Sequence, residues 1–177
     1  MNNPGAPTLN SATAGTGQVV LAWSRVTVAT GYSVKYGTTS GTFTTTIDAG
    51  NVTGYTVTGL TQGTTYYFVV VAYEGAATSA NSNQRSATLV PNPPTLSSAT
   101  AGSARVTLTW TASPGAASYK IKHGTVSGTY TTTTTVGNVT TYTVTGLAHT
   151  KLYYFVVVAH NAGGDSTNSN ERSATTT

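Results

Sequence analysis

The 177-residue sequence contains no cysteine, so neither a disulfide framework nor a thiolate nucleophile or metal ligand is open to it. Charge is also scarce. Four Asp+Glu stand against eight Lys+Arg, and the net +4 is spread along the chain without a run of cations, which argues against a nucleic-acid partner. Low charge combined with 38% hydrophobic residues excludes a disordered polyelectrolyte and calls for packed cores. No apolar run approaches the roughly 20 residues that span a bilayer, so membrane insertion is not expected. No signal peptide is evident, because Met1-Asn2-Asn3-Pro4 runs straight into the first strand pattern. No segment of useful length carries a 3.6-residue apolar period, which excludes a helical architecture.

What the sequence does have is threonine, more than a fifth of the chain, together with 19 glycines. Threonine is stiff at χ1 and fits the pleated strand, and glycine supplies tight turns between short strands. The composition therefore predicts an all-β protein. A repeat then sets its organisation. PTLNSATAG begins at Pro7 and PTLSSATAG at Pro94, an offset of 87 residues that holds without a gap to the C-terminus. More than half of the aligned positions are identical, including Trp23 with Trp110, Tyr32 with Tyr119 and Asn83 with Asn170. The proline-rich step Val90-Pro91-Asn92-Pro93-Pro94 separates the copies, giving predicted domains of residues 1–90 and 91–177.

Each copy shows seven segments with two-residue alternation. In the first copy Val19, Leu21 and Trp23 form one face of a strand, and Tyr32, Val34 and Tyr36 one face of the next. The sequence GTTSG turns into a threonine-rich strand over residues 43–49, and Tyr55 and Val57 lead to Gly59-Leu60. Tyr66, Phe68, Val70 and Ala72 share a face of the longest segment, and weaker segments near 8–12 and 85–88 open and close the copy.

The tryptophans Trp23 and Trp110, the segments YSVKY and YKIKH, and the pair GLTQGTTYYFVVVA and GLAHTKLYYFVVVA resemble the fibronectin type III family over both copies. The resemblance implies two tandem seven-stranded antiparallel β-sandwiches of the immunoglobulin-like kind and implies no chemistry, since a fold carries none by itself. It also implies that Tyr66 and Tyr153, six residues after Leu60 and Leu147, bond back to nearby backbone as a tyrosine corner. Arg85 and Arg172 depart from the family, which usually has an apolar residue there. The Arg-Gly-Asp tripeptide is absent. The wording YGTTSGTFTTT…GNVTGYTVTGL is most similar to copies in bacterial extracellular proteins and phage virion proteins, which places the chain outside the cell or in a virion. Seven strands per copy and a stiff proline linker predict a rod with termini at opposite ends, on the order of 75–80 Å long. A compact small-angle scattering profile would refute it.

Catalytic chemistry finds no foothold. The four acids Asp48, Glu74, Asp165 and Glu171 each align with a non-acid in the other copy, against the paired carboxylates that hydrolysis needs. His123, His149 and His160 all lie in the second copy without cysteine, a poor basis for a metal site. Neither a nucleophile elbow nor a phosphate loop occurs. No enzyme activity, metal or cofactor is expected. Two sequons, Asn51-Val-Thr53 and Asn138-Val-Thr140, occupy matching positions, and the structural reading is a turn whose Gly-Asn supplies the backbone angles.

The candidate site is the outward face of the longest strand: Tyr67, Val69, Val71 and Tyr73, repeated as Tyr154, Val156, Val158 and His160. A face turned to water should be polar, so an apolar stripe in both copies points to contact with a partner. The alternative is coverage by the stems of Lys35, Lys120, Lys122, Arg85 and Arg172. The expected function is a structural or interaction module, a spacer or decoration unit that meets protein partners by self-association or assembly. The alternative is a glycan-binding accessory module of a carbohydrate-active enzyme or adhesin.

Overall fold

The computed structural model describes residues 3–177, which contain sixteen strands and no helix. The chain divides into two units between Leu89 and Val90. In the first, β1 (Leu9–Gly15), β2 (Gln18–Trp23) and β5 (Gly54–Thr58) form one antiparallel sheet in the order β1-β2-β5. The second sheet contains β3 (Gly31–Gly37), β4 (Thr45–Gly50), β6 (Thr65–Glu74), β7 (Ala77–Thr78) and β8 (Arg85–Thr88). Its order is β4-β3-β6, and the far side of β6 pairs with both β7 and β8.

The second unit repeats this plan. Its smaller sheet is built from β9 (Leu96–Gly102), β10 (Arg105–Trp110) and β13 (Thr141–Thr145). Its larger sheet is built from β11 (Ser118–Gly124), β12 (Thr132–Val136), β14 (Leu152–Asn161), β15 (Gly164–Asp165) and β16 (Arg172–Thr175). Both units are all-β sandwiches of antiparallel sheets.

The alternation read from the sequence becomes the core directly. Val19, Leu21, Trp23, Tyr32, Val34, Phe68, Val70 and Ala72 point between the sheets of the first unit and are buried. Val106, Leu108, Trp110, Tyr119, Ile121, Phe155, Val157 and Ala159 do the same in the second. The tryptophan ring lies against the tyrosine of the next strand in both units, with centroids 5.7 Å and 5.5 Å apart.

Two latches close the loops. The Tyr66 hydroxyl accepts a hydrogen bond from the Thr61 N–H at 3.1 Å, and Tyr153 accepts from Ala148 N–H at 3.1 Å, the expected tyrosine corner. A second latch had no counterpart in the sequence reading. Tyr32 accepts from Val26 N–H at 2.7 Å and Tyr119 from Ser113 N–H at 2.9 Å. The second latch is the more deeply buried, so Tyr119→Phe is expected to cost about 1–3 kcal/mol by stranding the Ser113 N–H. Thr61 is exposed and water can replace its partner, so Tyr66→Phe is expected to cost about 0.5–1.5 kcal/mol. Tyr67→Phe, on the outer face, should be near neutral. Urea denaturation of the three variants checks the ranking.

Candidate functional site

The outer face of the larger sheet carries the candidate residues, and the structure corrects their exposure. Val69 and Val71 are only 2% and 4% exposed, and Val156 and Val158 are 1% and 0% exposed. Tyr67, Tyr73, Tyr154 and His160 are half-buried. The valines therefore form a floor, and what meets solvent is the polar layer above it. The layer in the second unit shows how the floor is closed. Lys122 stands opposite Val156 and Lys120 opposite Val158 on the adjacent strand. Their ammonium groups reach Asn168 (3.3 Å) and Asp165 (2.8 Å), which lie on the other flank of β14. The lysine stems therefore cross the strand over the valines, long methylene chains lying on apolar surface with the charge carried to a partner.

The first unit builds its layer differently. Tyr73 runs the opposite way, over β3, and its hydroxyl donates to Asp48 Oδ1 on β4 at 2.9 Å. Gly31 makes this possible, because a Cβ there would collide with the Tyr73 ring. In the second unit Ser118, His160 and Thr135 occupy the places of Gly31, Tyr73 and Asp48. With a side chain at 118 and no acid at 135, His160 turns to its own hairpin, where Nδ1 lies 2.6 Å from Asp165 Oδ1.

The carboxylates on this face are held ionised. The Gly50 N–H and then the Tyr73 hydroxyl lower the Asp48 pKa, and the same bond raises Tyr73. Lys120, followed by His160, lowers Asp165 against an opposing desolvation. Glu171 caps the loop before β12, accepting from the Tyr130 hydroxyl (2.6 Å), the Gly128 N–H (2.9 Å) and the Ser127 hydroxyl (2.7 Å), and its pKa is lowered. Burial and Glu171 push Tyr130 up to about 12. Gln84 performs the same capping in the first unit on Gly41 and Ser40, so the role is structural. Among the described residues no acids converge as a hydrolytic pair needs, no group of three metal-ligating side chains forms, and no cavity is enclosed.

Arg85 and Arg172 also find their explanation. Each guanidinium Nε donates to a backbone carbonyl of the opposite sheet, Leu9 at 3.0 Å and Leu96 at 2.9 Å. The side chains of Asn83 and Asn170 pin the same leucines twice, accepting from the N–H at 2.9 Å and donating to the carbonyl at 3.0 and 3.1 Å. Two sandwiches with a core tryptophan, a tyrosine corner and these cross-sheet ties match the sequence model of the fibronectin type III domain over residues 3–88 and 91–175. The chain belongs to the fibronectin type III family. Domains of this family are interaction modules and generally not catalysts.

Curated relatives extend the comparison. The chain is 44% identical over 109 residues to a Kelch domain-containing protein of Saccharolobus solfataricus, covering 60% of the chain and 15% of that protein. It is 33% identical over 171 residues to a Kelch domain-containing protein of Sulfurisphaera tokodaii, covering 92% of the chain and 23% of that protein. It is 36% identical over 166 residues to Chitinase A1 of Niallia circulans, covering 83% of the chain and 22% of the enzyme. The chain thus spans less than a quarter of the length of these relatives. A two-domain fibronectin type III segment from chicken tenascin aligns with 98% of the chain and 99% of its own length, at a TM-score of 0.60 and 20% identity, which shows the shared fold.

A histidine sits inside the core of the second fibronectin type III domain. His123 is 9% exposed, edge-on to Tyr153 and tilted against Phe155 with ring centroids 6.0 Å and 5.7 Å away, and its Nδ1 has no hydrogen-bond partner. Tyr36 fills this position in the first unit. Burial lowers the His123 pKa, so the neutral ring is the form that fits. The unfolded chain then binds a proton first, near the ordinary value of about 6.5, and stability falls with falling pH from there down to the lowered folded value. The stability of the second unit should be full above about pH 6.5 and decline below it, and His123→Tyr should remove that decline. Urea midpoints between neutral and mildly acidic pH measure it, and an unchanged profile in the variant would refute the assignment.

Proposed function

We propose that this chain is a non-catalytic spacer and interaction segment of a larger extracellular or virion protein, meeting a protein partner or a second copy through the outer faces of its larger sheets. The observation that carries the reading is the contrast between floor and cap. Two copies keep the same valine floor but build different polar layers on it, Tyr73 with Asp48 in one and His160, Asp165 and Lys120 in the other. A shared rigid frame with differing exposed caps suits recognition, where rim polar groups set partner choice. The small share of each relative that the chain covers supports a segment within a longer protein. The similarity of its turn wording to bacterial extracellular and phage virion copies supports the placement.

The test uses the caps and leaves the floor intact, since a hydroxyl replacing Val69 or Val156 would be buried and would lower stability by itself. Sedimentation velocity at rising protein concentration should show self-association that weakens in Tyr73→Ala/His160→Ala, measured where both domains of the variant are still fully folded by circular dichroism. A chain that stays monomeric at every concentration would sink self-association. The second reading, a glycan-binding accessory module, is favoured by the similarity to Chitinase A1 over 83% of the chain and by the half-buried tyrosines on the outer face. Depletion of the chain from solution by insoluble chitin would support it, and complete recovery in the supernatant would remove it.

A further inference from the structure

The sequence holds two Asn-X-Thr sequons, and they fall at the same place in the repeat, at Asn51 and Asn138. The structural explanation for these asparagines would be turn chemistry, an asparagine in the left-handed region or one whose side chain caps the backbone. The structure removes it. Gly50 takes φ +74°, but Asn51 does not have positive φ, and in the second unit neither Gly137 nor Asn138 does. Neither asparagine side chain has a hydrogen bond, whereas Asn83 and Asn170 each make two, Asn161 accepts from the Gly163 N–H and Asn168 accepts from Lys122.

The surroundings complete the picture. Each sequon lies on the connection that carries the chain from the larger sheet to the smaller one. All three residues of each sequon are exposed, and the middle valines Val52 and Val139 are 42% exposed, an apolar surface with nothing over it. The local backbone is held without the side chains, by Val52 N–H to Gly50 O (3.0 Å) and Trp23 N–H to Thr53 O (2.9 Å). The second unit repeats these bonds at 2.9 Å each, Val139 to Gly137 and Trp110 to Thr140. A free, exposed amide two residues before a free threonine, fixed on a rigid turn, is an acceptor that can be modified without disturbing the fold.

We infer that Asn51 and Asn138 are N-glycosylation sites, one per domain. The co-substrate class is an oligosaccharide carried on a polyprenyl phosphate or pyrophosphate. The side-chain amide nitrogen bonds to the anomeric carbon, the bond from that carbon to the phosphate oxygen breaks, and the lipid phosphate leaves with the electron pair. The amide nitrogen gives up one proton, and no redox partner is involved. The attached glycan then covers Val52 and Val139. The inference rests on the extracellular placement proposed above, so the experiment supplies export independently.

The chain is fused behind a cleavable secretion leader and produced in yeast, which N-glycosylates exported protein. Glycopeptide mapping of the secreted, cooperatively folding protein should find a glycan at both sites. Asn51→Gln and Thr53→Ala should each abolish the first, and Asn138→Gln and Thr140→Ala the second, with unfolding midpoints unchanged after enzymatic glycan release. Secreted, folded protein with both asparagines bare overturns the inference. In a second arm the chain is taken from the cells that make it. An exported chain with bare asparagines overturns the inference for that organism, and a chain recovered only from the cytoplasm refutes the extracellular placement while the yeast arm still decides the sites.

Discussion

Trp110→Ala is expected to destabilise the second domain by about 3–5 kcal/mol, and Trp23→Ala the first by the same amount. Both indoles are almost fully enclosed, at 4% and 3% exposure, and each packs on the tyrosine that latches the following loop. Truncation leaves a cavity between two sheets whose backbones are fixed by their ladders, so collapse is limited and the loss falls in the upper part of the usual range. A domain of this size has a total stability of about 5–12 kcal/mol, so either variant removes a large share of it. The indole Nε1 of each tryptophan is buried without an acceptor. Removing it strands no partner, and Trp→Phe should therefore cost well under half of what Trp→Ala costs. Urea denaturation followed by circular dichroism would show one transition moving in each variant while the other stays. A loss below about 1 kcal/mol in Trp110→Ala would mean the ring is not a core element.

The strands were legible because burial imposes a period. The pattern near residues 85–88 predicts a closing strand, and β8 has those bounds. The alternate faces of residues 66–73 also separated correctly into core and outer sets. Where the expectation slipped, a local contact without periodicity was responsible. The sequence predicts the fourth strand from residue 43, and it begins at Thr45, because Thr39 and Thr42 bridge and Gln84 caps Gly41, which holds the turn open for longer. The hairpin extensions β7 and β15, two residues each, are too short to alternate.

The outer face was only half legible. Alternation says that Val69 and Val156 point away from the core, and it leaves open whether lysine stems or a partner cover them. In the second unit the coverage depends on cross-strand register, with Lys122 opposite Val156 and Lys120 opposite Val158, which one strand read alone does not contain. A signal was nevertheless present. Gly31, Tyr73 and Asp48 all change together in the second copy, as three residues in contact would.

The segment before the last strand was the least legible and holds the second large expected effect. Asn170→Ala should destabilise the second domain by about 2–4 kcal/mol, with Asn83→Ala acting alike in the first. Leu96 is fully buried at the start of β9, beside the irregular step in the register with β10, and its N–H and carbonyl both bond to side chains of the segment that closes the larger sheet. Its N–H depends on Asn170 Oδ1, while its carbonyl has two donors, Asn170 Nδ2 and Arg172 Nε. Removing the amide strands the N–H, at about 1–3 kcal/mol, and forfeits one of the two bonds to the carbonyl, at about 0.5–1.5 kcal/mol. Arg172→Ala alone should cost less than about 1.5 kcal/mol, because the carbonyl keeps Asn170. The double variant should then lose more than the two single losses combined, since the last donor to a buried carbonyl disappears only when both are gone. These bonds tie the first strand of the smaller sheet to the closing segment of the larger one, and without them an edge strand is free to peel and pair elsewhere. Asn170 itself is exposed, so hydrophobic burial does not explain the loss. A double-mutant cycle in urea measures the coupling directly. An Asn170→Ala loss below about 0.5 kcal/mol, or strictly additive losses, would show that water satisfies the Leu96 backbone and that the asparagine is not what closes the sandwich.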